Sequence, residues 1–116
     1  MKRFGHAAVG IANGEAEVFS AFDNGGEMWT GSGPRAERCR VTFDEPFLDP
    51  PSVHLALSMW DVEAGANQRM DLKAENITAE GFDICFRTWG DTHVARARAA
   101  WMAIGPVRYE DDWNTE

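Results

Sequence analysis

The stretch Ser52–Trp60 alternates: Val53, Leu55, Leu57 and Met59 fall on one face, and His54, Ala56, Ser58 and Trp60 on the other. The same period of two recurs in Arg69–Ile77, with Met70, Leu72 and Ala74 inward and Arg69, Asp71, Lys73 and Glu75 outward. It recurs again in Phe82–Trp89, with Phe82, Ile84 and Phe86 inward and Asp83, Cys85, Arg87 and Trp89 outward. Successive side chains of a strand point to opposite faces, so this is the pattern of antiparallel strands with one solvated face. Ala36–Phe43 reads as another strand, with Cys39, Val41 and Phe43 on a shared face.

Turn signals punctuate these runs at Asn13-Gly14, Asn24-Gly25-Gly26, Gly31-Ser32-Gly33-Pro34, Asp49-Pro50-Pro51, Gly65-Ala66-Asn67, Glu80-Gly81 and Gly90-Asp91. Short strands between closely spaced turns predict an all-β fold, a sandwich or a barrel, and a six-stranded antiparallel β-sandwich is the expected form. Residues 1–116 are expected to form one domain, with an acidic tail over residues 109–116. Val94–Ile104 is open on pattern alone. Its alanines and arginines are good helix formers, yet its neighbours are strands. As a strand it would turn Ala97, Ala99, Trp101 and Ala103 inward and Arg96 and Arg98 outward.

Composition narrows the class. An apolar content of 44% is enough for a core and too much for a disordered chain. The net charge of −8 argues against nucleic acid or an anionic membrane as partner, because both call for a basic surface. No apolar run approaches a membrane span. Ala7–Ile11 is too short and too polar for a secretory leader, so the expected location is cytoplasmic, or outside by a non-classical route. Cys39 and Cys85 are expected on opposite faces and therefore unpaired, as in a reducing compartment. Five tryptophans in so short a chain are many, and some should lie at a site or an interface.

Enzymatic readings find little support. His6, His54 and His93 lack metal-ligand spacing, and no acidic calcium loop is present, so no cofactor or metal is expected. The glycines of residues 25–33 lack the lysine of a phosphate loop. Asp83 and Asp91 could be posed as a glycosidase pair, but a solvated β face explains both.

From Val41 to Ile104 an ordered set of phrases appears. A phenylalanine pair is followed by Pro50-Pro51, an alternating strand ending at Asp61, and Asn67-x-Arg69. Then come Asn76-Ile77-Thr78-x-x-Gly81-Phe82, Thr88-Trp89-x-Asp91-Thr92, and Trp101-x-Ala103-Ile104. The set resembles the H-type lectin domain, of the snail agglutinin and discoidin carboxyl-terminal type. The likeness covers roughly the last two thirds of the chain and, more weakly, the loop Trp29–Arg35. It favours a strand over Val94–Ile104. It implies a non-enzymatic glycan-binding protein for N-acetylgalactosamine- or galactose-like terminal sugars. It also implies a homotrimer, or two trimers stacked as a hexamer, with sugar clefts between subunits.

The resemblance assigns candidate carbohydrate-binding residues: Trp29, Gly31, Ser32, Gly33, Arg69, Trp89, Gly90 and Asp91. Arg69 can donate paired hydrogen bonds to adjacent sugar hydroxyls, whereas a lone surface arginine otherwise means a solvated charge or a pair with Asp71 or Asp91. Trp89 stands on a polar face, where its indole could stack on a pyranose ring or be covered by a neighbouring subunit. Residues 23–35 form a glycine-rich loop that would let backbone amides approach a ligand, or would be a plain connection. Two residues depart from the family pattern. Ser32 stands near the family's acidic position, and Gly90 stands where a polar ring follows the tryptophan. A structural oligomerisation module, such as a piece of an adhesin or virion spike, is the alternative those departures favour.

Overall fold

The computed structural model describes residues 1–21 and 25–110. The Asp23-Asn24 part of the first loop and the tail from Asp111 lie outside the described residues. Among the described residues six strands are present: β1 (Ala8–Ser20), β2 (Arg35–Thr42), β3 (Ser52–Val62), β4 (Met70–Glu75), β5 (Gly81–Thr88) and β6 (Val94–Val107). One short helix, α1 (Glu27–Thr30), lies between β1 and β2. The strands form two antiparallel three-stranded sheets, ordered β1-β6-β3 and β2-β5-β4. Packed face to face they make the all-β sandwich that the alternation predicts. Among the described residues no helix is long and apolar enough to cross a membrane.

The core fills from the inward positions read in the sequence. Phe82, Ile84 and Phe86 of the central strand β5 are fully buried, in one cluster with Ala97, Ala99 and Ala103 of the central strand β6. Small alanines on one sheet make room for large rings on the other, which keeps the two faces interdigitated. Trp101 joins an aromatic cluster, its ring 5.5 Å from Phe82 and 5.8 Å from Phe43, while Phe43 meets Phe47 edge-on at 5.1 Å. Val94–Val107 is strand throughout, so tertiary pairing with β1 and β3 overrides the helix propensity of its alanines.

Two expectations are corrected, and a third holds. Asn13-Gly14 is not a turn: β1 runs straight through it, with Gly14 opposite Trp101. The Trp101 indole lies so close that a Cβ on Gly14 would meet it at 3.0 Å, so the glycine serves packing rather than chain reversal. The alternation of β3 holds to Trp60, with Val53, Leu55, Leu57 and Met59 half-buried and His54, Ala56, Ser58 and Trp60 exposed. A register shift between Leu57 and Met59 sets Trp60 opposite buried Ala97 and Asp61 opposite Arg96. The loop before β2 is not wholly irregular, because α1 forms a turn of helix that buries Met28.

Cys85 points to the outer face of β5, as its register requires, yet it is only 2% exposed. Its cross-strand neighbours are Arg38 and Lys73, whose long stems can cover it. Burial pushes its thiol up from the ordinary value, and a hydrogen bond to Glu75 adds to the rise. Cys39 pairs in register with inward Ile84, and both cysteines are free. Around Cys85 the outer face carries ion pairs Arg38–Glu75, Arg40–Asp83 and Arg87–Asp71. Asn76 donates to Asp83 at 2.8 Å, and this bond leads the lowering of the Asp83 carboxyl from its ordinary value. Asp83 is thus a structural partner of Asn76 and Arg40.

Candidate functional site

Antiparallel pairing brings three connections to one end of the sandwich: α1 with its following loop, the segment between β3 and β4, and the turn between β5 and β6. Arg35, the first residue of β2, ties two of them together. Its side chain enters the protein and the residue is only 8% exposed. Nε donates to the carbonyl of Gly33 at 2.9 Å, and Nη1 donates to those of Glu27 and Met28 at 3.2 and 3.1 Å. Nη2 reaches the carbonyls of Thr92 at 2.6 Å and Gly90 at 3.4 Å. A guanidinium is a rigid fork of donors, so it can satisfy several carbonyls at once and fix their spacing. The Gly33 amide adds a direct bond to the Gly90 carbonyl at 3.0 Å.

Thr92 is the second organiser, 1% exposed. Its hydroxyl accepts from the Arg69 amide at 3.0 Å and donates to the Asn67 carbonyl. Thr88, also buried, donates to the Arg69 carbonyl. The Arg69 backbone is therefore held on both its amide and its carbonyl, which aims the side chain across the turn. Arg69 Nη1 reaches Asp91 Oδ1 at 2.6 Å, and Asn67 Nδ2 donates to the same carboxylate at 3.3 and 3.4 Å.

Gly90 lies beneath this contact. Its φ of +69° is a left-handed conformation that favours glycine, and even an ideal Cβ would sit 3.4 Å from Arg69 Nη1. A ring at this position would occupy the space over which the guanidinium lies. At this departure from the family pattern Arg69 folds over the turn onto Asp91.

The Asp91 carboxyl is pulled in two directions. Partial desolvation works to raise its carboxyl. Hydrogen bonds from the backbone amides of Asn67 and Asp91 and from the Asn67 side chain, with the charge of Arg69, outweigh it and leave the carboxyl below its ordinary value. A depressed carboxyl stabilises the fold fully above the ordinary carboxylate value. That contribution is lost as pH falls through the lowered value.

Trp89 follows β5 directly and is 43% exposed. It borders an open hollow shared with Pro34, Met70, Asp71 and Arg87. An exposed indole beside the Arg87–Asp71 ion pair gives a flat apolar plate next to directional hydrogen-bonding groups, and in sequence only Gly90 separates it from Asp91, the partner of Arg69. Ser32 is exposed on the loop that Arg35 anchors. Trp29 is placed differently from the others: its side chain packs against the core, and its carbonyl bonds His93 Nδ1 at 2.7 Å. Gly31, Gly33, Arg69, Gly90 and Asp91 are drawn together at this end with Trp89 beside them.

Arg35, Thr92, Asn67 and His93 are not candidates from the residues alone. Asn67 and Thr92 stand inside the ordered phrases, and that is their signal. Arg35 offers none, because its burial comes from carbonyls scattered over residues 27–92.

Comparison with known proteins bears on the identity of this site. Residues 38–104 match the model of the H-type lectin domain. The chain belongs to the H-type lectin domain family. It is 37% identical to a discoidin-1 chain and 38% identical to discoidin-2, both of Dictyostelium discoideum, over 64% and 65% of this chain and 30% of each discoidin. It is 55% identical over the full length of both chains to a protein described as "ATP synthase subunits region ORF 7" of Fuscovulum blasticum. A solved structure of wild-type discoidin II from Dictyostelium discoideum superimposes with a TM-score of 0.76 at 26% identity, over 91% of this chain and 39% of that one. This H-type lectin chain therefore spans less than half of the discoidins it resembles, while matching the Fuscovulum protein from end to end. The family is one of carbohydrate-binding lectins, and the ordered phrases from Val41 to Ile104 fall inside the matched span.

Proposed function

We infer that this protein binds glycans without chemical change to them, through the end of the sandwich that carries Arg69, Trp89 and Asp91. The observation that carries the reading is the pair formed by an exposed Trp89 and an Arg69 fixed through Thr92, Thr88 and Asp91. A sugar ring presents an apolar face and a rim of hydroxyls, so it needs a flat aromatic plate beside fixed donors and acceptors. N-acetylgalactosamine- and galactose-like terminal sugars are the expected class, bound in clefts between subunits of a homotrimer.

The outer face of the β1-β6-β3 sheet supports self-association. β1 turns its small residues Ala8, Gly10, Ala12, Gly14 and Ala16 inward and its larger Val9 and Ile11 outward. Val9, Ile11 and, on β6, Met102 are 58%, 65% and 40% exposed. Large apolar groups side by side on a sheet face mark a contact surface. Each sugar site alone would be weak, and several on one particle would gain by avidity.

A glycan array on the purified protein, read with and without EDTA and paired with light scattering, tests the proposal. Binding to terminal galactose-type glycans that EDTA leaves intact, from a particle of three or six chains, is the expected result. A stable monomer at micromolar concentration that binds no glycan would overturn it.

A further inference from the structure

The opposite end of the sandwich holds a second hollow, of about 490 Å³, between the edges of β1 and β2. It is separate from the Arg69 site, since it lies at the start of β1 and the ends of β2 and β6. Half-buried Trp101 lines it together with Phe47, Val107 and the backbone of Gly10. Glycine there is imposed by packing, for a Cβ on Gly10 would meet Val107 at 2.6 Å. Ile11, Ala12 and Asn13 of β1 complete the wall of the hollow.

The rim has a definite sign. Asp44, Glu45 and Glu110 stand around it, against Arg108 as the one cation among the described residues that line it. Asp44 and Glu45 lie exposed just beyond the last strand positions of β2. An aromatic and aliphatic wall beneath a net-negative rim suits a cation carried on a small apolar body, through ring quadrupole and carboxylate together. The chain's net charge of −8 adds to the attraction. A neutral sugar would gain nothing from the excess of carboxylates, and an anion would be repelled.

We propose that this hollow, lined by Trp101 and Phe47 under Asp44 and Glu45, is a second binding site, for small organic ammonium ions. The hollow shares no residue with the Arg69 site, although Ile11 at its edge also stands on the face assigned to self-association.

The test follows the Trp101 indole N–H by NMR, with choline chloride as probe at millimolar concentration and sodium chloride matching the ionic strength. 3,3-Dimethylbutan-1-ol, which has the shape of choline without its charge, is the paired probe, and galactose is the neutral-sugar arm. Choline should move the Trp101 signal saturably, the uncharged isostere should bind roughly fivefold more weakly or worse, and galactose should leave it in place. Asp44→Asn with Glu45→Gln, an exposed double change that keeps the fold, should weaken choline by a similar factor. No response to choline, an equal response to the isostere, a response unchanged in the double variant, or a stronger response to galactose would each overturn the proposal. The Trp89 signal in the same spectra reports the lectin site, so the two can fail separately.

Discussion

Arg69→Ala should lose glycan binding by more than tenfold while the protein stays folded. The truncation removes charge-assisted hydrogen bonds worth roughly 1.5–3 kcal/mol in total. Stability should hardly change. The Arg69–Asp91 pair has side-chain exposures of 39% and 55%, and such surface pairs contribute at most about 1 kcal/mol. No core cavity opens, because the side chain lies over the turn at Gly90. Trp89→Ala should lose binding to a similar degree by removing the stacking plate, and mass must be measured alongside, to separate lost stacking from lost self-association. Lys73→Ala, exposed on the outer face of β4, is the control and should bind like the parent. If Arg69→Ala binds normally while Trp89→Ala only dissociates the particle, this face serves assembly, and the structural alternative takes the place of the lectin reading.

Arg35→Ala should be the most destabilising single change at this end of the molecule. It deprives the carbonyls of Glu27, Met28, Gly33, Gly90 and Thr92 of a donor at once. Those facing Met28 and Thr92 are buried bonds, and a buried acceptor without a partner costs about 1–3 kcal/mol. A total loss on the order of 3 kcal/mol, or a fall of about 10 °C in melting temperature, is expected. Glycan binding should fall with it, because the loop of residues 31–34 and the turn of residues 89–92 lose their common anchor. Arg35→Lys should rescue only part, since an ammonium cannot span the same set of carbonyls. A melting temperature unchanged in Arg35→Ala would contradict the role given to this residue.

The strands that bury one face are legible in the sequence, and the reasons show why others are not. β3 and β5 alternate large apolar with polar residues, so their faces can be read directly. β1 inverts the rule, with Gly10, Ala12 and Gly14 inward and Val9 and Ile11 outward, so a search for apolar inward positions finds no strand there. Its glycines answer to Trp101 and Val107 on the neighbouring strand, a contact that no local window contains. The site divides in the same way. Arg69, Trp89 and Asp91 carry chemistry visible in residue type. Arg35 and Thr92 act through backbone groups distant in sequence, which residue type does not reveal. Trp29 is a candidate by residue type, and its position after Met28 on α1 turns its side chain onto the core instead.

The most direct test of the central claim is a titration of the native protein with N-acetylgalactosamine, followed at the Trp89 indole N–H. A lectin site at Arg69, Trp89 and Asp91 predicts a saturable shift of that signal that disappears in Arg69→Ala. A Trp89 signal that stays fixed at saturating sugar, while the protein still binds glycans elsewhere or binds none, would contradict it.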